Sequence, residues 1–264
     1  MWQSDFKCAA ALTFDLDGET VWVAVDPASK DKPGVLSQGR YGPKVGVPLI
    51  LSLLERTGVK ATFFIIGKVA EEYPGVVAAI AEAGHELAVH NYDHTSPSDL
   101  TPEEEETSMS RTREILQAYS GKVIGYRSPS WDFSKATLGF LQKHQYSYSS
   151  NMMDDIFPYM HPETDVVELP IQWILDDAAH FWFDVDAWNK KISTPSEVRE
   201  IWDAEFEGIY DLGGAFILTM HPQFIGRPYR LKMLEDFISF IRSHDDVWLT
   251  TCAEIAEQAR KSFK

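Results

Sequence analysis

"CAAALTFDLDGE", residues 8–19, decides the architecture: a run of small and apolar residues ends in Asp15, Asp17 and Glu19 at every second position. Strand side chains alternate between faces, so the run reads as a buried strand whose three acids share one side for as long as the extended geometry persists. Negative charge so concentrated repels itself unless a cation, a proton or a base sits among the carboxylates.

Outward from this strand, short β-like runs alternate with helical patterns to the end of the chain. The further candidate strands are "KATFFIIG", "HELAVHN", "IGYRSP", "YSYSSNM", "VVELPIQW", "GAFILTM" and "VWLTT". Two intervening helices, near 102–119 and 195–210, open on a capping box with Pro in the first turn: Thr101, Pro102 and Glu104, then Thr194, Pro195 and Glu197. Val198, Ile201, Trp202, Phe206, Ile209 and Tyr210 recur at helical spacing in the second, as do Leu231, Leu234, Ile238 and Ile241 in "PYRLKMLEDFISFI". Repeated strand–helix order predicts an α/β fold with a mostly parallel sheet, closed as a (β/α) barrel of seven or eight strands whose chemistry gathers at the strands' carboxyl ends. Residues 20–48, rich in Pro and Gly, read as a long loop in which "SQGRYGPKVG" is either substrate-facing or a surface excursion.

The chain has 264 residues and no evident linker, which predicts one domain over 1–264. Its 44% hydrophobic and 24% charged residues are ordinary globular composition. A net charge of −16 opposes nucleic acid and anionic membranes as partners. Apolar runs such as "ATFFII" fall far short of the ~20 residues needed to span a bilayer, and no basic, apolar leader opens the sequence. Cys8 and Cys252 are too few for a disulfide framework and read as buried thiols; the expected setting is the cytoplasm.

"HELAVHNYDHTS" places His90 and His94 four apart, a spacing that puts two imidazoles on one face of a helical turn. With Asp17 they make a set of two neutral imidazoles and one carboxylate for a divalent metal, with a position left for water; the bland alternative is a solvated turn. Asp15, unligated, is then placed to take a proton from that water. Arg127 in "GYRSPSW" suits holding Asp15 ionised, against the alternative of a surface salt bridge. His221 in "AFILTMHPQF" is the candidate proton donor to a leaving group. In "LPIQWILDDAAHFWF" a carboxylate, Asp176 or Asp177, would orient His221, and Asp177 joins the candidate catalytic residues with that choice open; the aromatics read mainly as packing. His85, His144, His161, His180 and His244 read as structural or surface residues.

"TFDLDGE", "HNYDH", "YRSPSW" and "LTMHP", in this order on a β/α chain, resemble the polysaccharide deacetylase (NodB-like) family across residues 12–222. The resemblance implies a distorted (β/α) barrel with a divalent metal, and amide or ester hydrolysis without an acyl-enzyme; two imidazoles and a carboxylate admit Zn, Co, Fe or Ni, with Zn the expected ion. It implies Asp15 as base, Asp17, His90 and His94 as ligands, and Arg127 as the base's partner. It also implies the Ser130 N–H as oxyanion donor, His221 as acid and Leu218 in the acyl pocket. Glu19, Tyr41 and Trp131 complete the candidate substrate contacts. Leu16 between the two aspartates, Asn91 after the first His, and "GRYGPKVG" are similar to a branch with peptidoglycan deacetylase-like, allantoinase-like and cyclic imide hydrolase proteins, whose members often form homodimers or homotetramers.

The expected function is therefore metal-dependent hydrolysis of a C–N bond, with an acetylated amino-sugar as substrate and a small cyclic imide or ureide as the competitor. A carbohydrate-binding module without turnover is the non-enzymatic alternative. A two-carboxylate glycosidase would leave both histidines and Arg127 without roles.

Overall fold

The computed structural model describes residues 1–2, 5–183 and 191–263. Its sheet is built on β1 (Cys8–Leu16), β2 (Thr62–Ile65), β3 (Glu86–Val89), β4 (Gly125–Tyr126), β5 (Tyr148–Ser149), β6 (Tyr159–Met160), β7 (Val167–Glu168), β8 (Ala215–Met220) and β9 (Val247–Leu249). The order is β6-β7-β5-β4-β3-β2-β1-β8, with β9 also on β1, and among the described residues only the β6–β7 pair is antiparallel. Eight of these strands coincide with the runs marked in the sequence. The ninth, β6, is two half-buried residues long and carries no apolar run that would announce it.

β1 lies at the centre. Along one edge it pairs with β8 from Ala9 to Phe14; β9 pairs with its start, at Cys8–Ala10, and β2 with its end, at Thr13–Leu16. Every β1 residue is buried, so both faces are covered, as a parallel sheet between helices and a barrel interior requires. Leu12, Phe14 and Leu16 join the larger apolar cluster beneath the helices, whereas Ala9 and Ala11 belong to a second cluster inside the curl. Small residues fill the narrow end of that interior, and Thr13, Asp15 and Asp17 follow them toward the mouth. Among the described residues no ladder closes β8 onto the β6–β7 end; one bridge, Asp176 with Thr219, spans the seam. The result is the distorted barrel that the family resemblance implies, left open at this seam rather than closed as the strand–helix alternation alone predicts.

Both capping boxes form, at the helices Pro102–Ser120 and Pro195–Leu212. The latter buries Val198, Trp202, Phe206 and Ile209, and helix Pro228–Ile241 buries Leu234, Ile238 and Ile241, the faces marked by their spacing.

The reading of residues 20–48 as a loop is corrected. Short helices follow one another there: Thr20–Val25, a 3₁₀ turn Pro27–Asp31, Pro33–Tyr41 and a π turn Gly42–Gly46 that runs into Val47–Thr57. Its prolines stand at helix starts, where a missing N–H costs nothing, rather than at breaks. "GRYGPKVG" is thus a packed wedge. At Gly46 a Cβ would overlap the Pro222 carbonyl, so only glycine permits this approach to the turn after β8.

Candidate metal centre and active site

The parallel strands deliver their polar residues to one end of the curl. β1 carries Asp15 inward beside Thr13, and Asp17 follows one residue beyond the strand. There the alternation stops: Gly18, at φ +55°, turns the chain, and Glu19 leads into helix Thr20–Val25. Of the three acids only two face the centre. Glu19 instead accepts from the Tyr73 hydroxyl at 3.0 and 3.1 Å, lies 3.8 Å from Arg40, and lines a cavity of about 580 Å³ that His94 also borders.

His90 follows β3, its N–H bonded to Ile65 O, and Gly67 and Lys68 continue the pairing through Asn91 O and Tyr92 O. Asn91 then adopts φ +59°, and its buried amide is fixed by the Tyr126 hydroxyl at 3.0 Å. Asp93 accepts from Thr95 N, an Asx turn that brings His94 back toward His90. The two rings meet edge to face, centroids 5.6 Å apart. They do not share a helical turn, as the spacing predicts; a left-handed Asn produces the same convergence in a loop.

Asp17, His90 and His94 offer ligand atoms that all lie within 4.8 Å of one another. His90 Nε2 stands 3.5 Å from Asp17 Oδ1, and His94 Nε2 4.0 Å from Asp17 Oδ2. Donors about 2.0–2.2 Å from a tetrahedral cation are separated from one another by roughly 3.4 Å, so the spacing suits a shared ion. His90 Nδ1 lies 2.7 Å from Arg127 O; a carbonyl only accepts, so Nδ1 carries the proton and Nε2 presents its lone pair to the centre. Asp17 Oδ1 is fully buried with no hydrogen-bond partner among the described residues. A buried carboxylate oxygen left unpaired costs several kcal/mol, on the order of the desolvation of an ion, and a cation would remove that cost. The donor set therefore fits a divalent metal. Burial pushes Asp17 up to about 7, with Asp15 adding to the rise, and pushes His90 down to about 4 and His94 down to about 3.

Asp15 differs from Asp17. Burial acts to raise its pKa, yet the Arg127 guanidinium, with help from His90 and His221, holds it below the usual carboxylate range. Arg127 is wholly buried: Nη1 donates to Asp15 Oδ1 and to Thr13 Oγ1, both at 2.8 Å, while Nε and Nη2 donate to Ser150 O and Oγ. The Phe64 ring lies 4.1 Å beneath the guanidinium. After Arg127 the chain turns through Pro129, and Ser130 and Trp131 both take left-handed φ, 59° and 57°. Trp131 is buried and stacks at 4.2 Å on Trp173, which is half-exposed.

His221 ends β8. Its Nδ1 lies 2.7 Å from Asp177 Oδ1, and its backbone N–H also donates to that carboxylate. Asp176 is farther, at 3.6 Å, and caps its own helix through Ala178 N, so Asp177 is the orienting acid. Burial opposes protonation of His221, but Asp176, Asp177 and Asp17 together hold its pKa well above the ordinary value. Nε2 points to the centre, 3.7 Å from Asp17 Oδ2.

These distances place Asp15, Asp17, His90, His94, Arg127, His221 and Asp177 in one constellation. Comparisons with known proteins identify the family. Residues 40–149 match the family model for polysaccharide deacetylase. A peptidoglycan deacetylase of Helicobacter pylori is 30% identical over 94% of each chain. The chain belongs to the polysaccharide deacetylase family. A Mycobacterium smegmatis crystal structure, assigned provisionally as a polysaccharide deacetylase, superposes with TM-score 0.95 at 37% identity, over all of this chain and 93% of the other. The structure of PuuE allantoinase has TM-score 0.85 at 22% identity, over 99% and 93%, a likeness of fold. As a member of this family the protein is a hydrolase of carbon–nitrogen bonds other than peptide bonds, dependent on a divalent metal.

Besides Glu19, two further candidate residues of this deacetylase-family site are not brought to the centre. Leu218 pairs with Leu12 and packs in the cluster beneath the helices, on the face opposite Asp15. Strand side chains alternate, so the inward position on β8 belongs to Thr219, the partner of Thr13. Tyr41 donates its hydroxyl to Gly226 O at 3.0 Å and lies under Arg227, tying the wedge to the turn after β8. His85, His144, His161, His180 and His244 all pair elsewhere. Burial pushes the Cys8 and Cys252 thiols up to about 12, which excludes thiolate chemistry near neutrality. Sequence reasoning missed Gln223, whose Nε2 approaches Asp17 Oδ2 at 3.4 Å and which follows His221 by two residues. It also missed Thr13, although Thr13 shares the alternation of Asp15 and Asp17.

Proposed function

We propose that this deacetylase-family hydrolase removes the acetyl group from an N-acetylated amino-sugar of a peptidoglycan-type polymer or its fragments, with zinc as the ion held by Asp17, His90 and His94. One observation carries the acid–base assignment: Asp15 and His221 flank the ligand set with opposite partners, the Arg127 guanidinium 2.8 Å from Asp15 favouring the ionised carboxylate and the Asp177 carboxylate 2.7 Å from His221 favouring the protonated imidazole. A divalent ion bound there lowers the pKa of water and polarises a carbonyl.

The protein groups do the rest. Asp15, kept ionised by Arg127, takes the proton of the attacking water. The Ser130 N–H, turned by the left-handed backbone, donates to the carbonyl oxygen as charge develops on it. His221 enters the cycle protonated and gives its Nε2 proton to the departing amine, while Asp177 holds the Nδ1 proton and fixes the ring. The name and extent of the Helicobacter pylori relative support the substrate class.

Acetate release from chito-oligosaccharides and peptidoglycan fragments, measured beside ring opening of succinimide and allantoin, tests this reading. Zinc-loaded protein is expected to release acetate and leave both rings intact; ring opening without acetate release overturns it. Asp15→Asn and His221→Ala are each expected to lower kcat by about 10²–10⁴-fold, the usual reach of general acid–base catalysis. We assign the protein to the cytoplasm on its two free, buried thiols, and to a homodimer or homotetramer on family resemblance. Fractionation and light scattering check these points.

A further inference from the structure

The base and the Ser130 turn are held by groups that themselves depend on one buried carboxylate, far along the chain and outside every motif. Glu168, the last residue of β7, is fully buried. Oε1 accepts from the backbone N–H groups of Asn151 and Met152, at 2.6 and 2.9 Å. Oε2 accepts from the Ser149 hydroxyl and lies 2.8 Å from His161 Nε2. Both of its oxygens are thus committed to residues 149–152 and to one histidine, so the carboxylate fixes that short segment as β5 ends.

The segment has two duties. Ser150 accepts from Arg127 through its carbonyl, at 3.1 Å from Nε, and through its hydroxyl, at 2.9 Å from Nη2; these contacts aim Nη1 at Asp15. Asn151 Oδ1 accepts from both the N–H and the hydroxyl of Ser128, each at 2.8 Å, and Asn151 Nδ2 reaches Ser149 Oγ at 3.2 Å. Ser128 begins the turn whose next members are Pro129 and Ser130, so the amide sets the height of that turn.

We propose that Glu168 is a positioning residue for catalysis, acting through Ser150 on Arg127 and through Asn151 on the Ser130 turn. The proposal rests on the roles given above to Asp15, Arg127 and Ser130. Glu168 touches neither substrate nor metal ligand. Replacement by Gln keeps the volume but removes the charge and places an NH₂ against the Ser149 hydroxyl and His161 Nε2, which must then accept, so the charge-assisted anchoring of the segment is lost. A shift of about 1 Å at a reacting group can cost on the order of 10²-fold in rate.

The experiment compares zinc-loaded wild type with Glu168→Gln, Glu168→Asp, Arg127→Ala and the double variant Glu168→Gln/Arg127→Ala in the acetate-release assay. Zinc content is measured by elemental analysis, and the absorption spectrum of the cobalt(II) form reports the ligand shell. Glu168→Gln is expected to lower kcat 10–100-fold with KM within about threefold, full zinc occupancy and an unchanged cobalt spectrum. Its effect is expected to shrink on the Arg127→Ala background, because the part of it that travels through Ser150 is already lost there, while the part that travels through Asn151 remains. Glu168→Asp is expected to recover part of the loss.

Equal losses with and without Arg127 overturn the Ser150 arm, and a loss that follows zinc content overturns the proposal in favour of general destabilisation. Unchanged kcat in folded Glu168→Gln also overturns it. Should Arg127→Ala itself retain full activity, the catalytic roles above fall first, which separates that failure from failure of the Glu168 inference. If Glu168→Gln does not fold, Asn151→Ala takes its place: it leaves Glu168 intact and is expected to lower kcat with KM and zinc preserved, and wild-type kcat in it overturns the Ser130 arm.

Discussion

Asp17 carries two properties that belong together: an oxygen without a hydrogen-bond partner and a pKa raised by burial to about 7. Without the ion, its carboxylate therefore holds a proton across a range where ordinary aspartates are charged. Metal binding must release that proton, whereas His90 and His94, at about 4 and 3, are already neutral and ready to ligate. The sign follows: falling pH favours the protonated, metal-free form. Zinc affinity is expected to weaken about tenfold per pH unit below about 7, one proton exchanged per ion, and to level off above about 8. Competition titrations with a chromogenic chelator from pH 5.5 to 8.5 check this; a flat profile would mean that Asp17 is ionised without the metal. Residue identity made the chemistry legible in advance, because Asp, His and Arg at strand ends have few bland explanations when they occur together. Side-chain direction was less legible. Leu218 and Thr219 differ by one step along β8, and only the register against Leu12 and Thr13 says which of them points inward. Gln223, Ser150 and Glu168 are ordinary polar residues by sequence and acquire meaning from partners that are 23 to 206 residues away or reached through backbone groups.

At the scale of elements, the wedge at residues 33–46 shows how a catalytic turn can be braced from outside. Its π turn lies against the residues after β8, with Gly46 on the Pro222 carbonyl and Tyr41 on Gly226. Gly46→Ala is expected to cost about 1–3 kcal/mol of stability, as overpacking does, and to lower kcat by pushing His221 away from its position. Gly75→Ala is the control: a Cβ there meets nothing within 4 Å, and in helix Pro74–Glu82 the change is expected to be neutral or to stabilise by up to about 1 kcal/mol. Chemical denaturation together with kinetics separates the two. Strand and helix identities were readable because apolar runs and capping boxes are local signals. The wedge was misread since composition reports Pro and Gly without their positions in a helix, and β6 went unseen because two half-buried residues make no pattern. The spacing of His90 and His94 signals their convergence but not its cause, which is a left-handed Asn91 rather than a helical turn.

For the molecule as a whole, the metal centre joins residues from the segments that follow β1 and β3, so an ion bound there stabilises the folded state alone. At a free zinc concentration one hundred times the dissociation constant the gain is about 2.7 kcal/mol, which for a chain of this size corresponds to a rise in Tm of roughly 5–10 °C. Thermal scans with and without zinc measure it, and Asp17→Ala is expected to abolish the rise; a rise that survives the substitution would place the ion elsewhere. A formal charge of −16 adds a general repulsion that salt screens, so the metal-free protein is expected to gain stability between about 0.01 and 0.15 M salt. The strand that presents Asp15 takes its neighbours from residues 62–65, 215–220 and 247–249. During synthesis, then, this apolar ribbon must wait for residues 215–220 and 247–249 before its hydrogen bonds are complete. Until then it is a sticky edge, and chaperone demand in the cell should track how long that wait lasts.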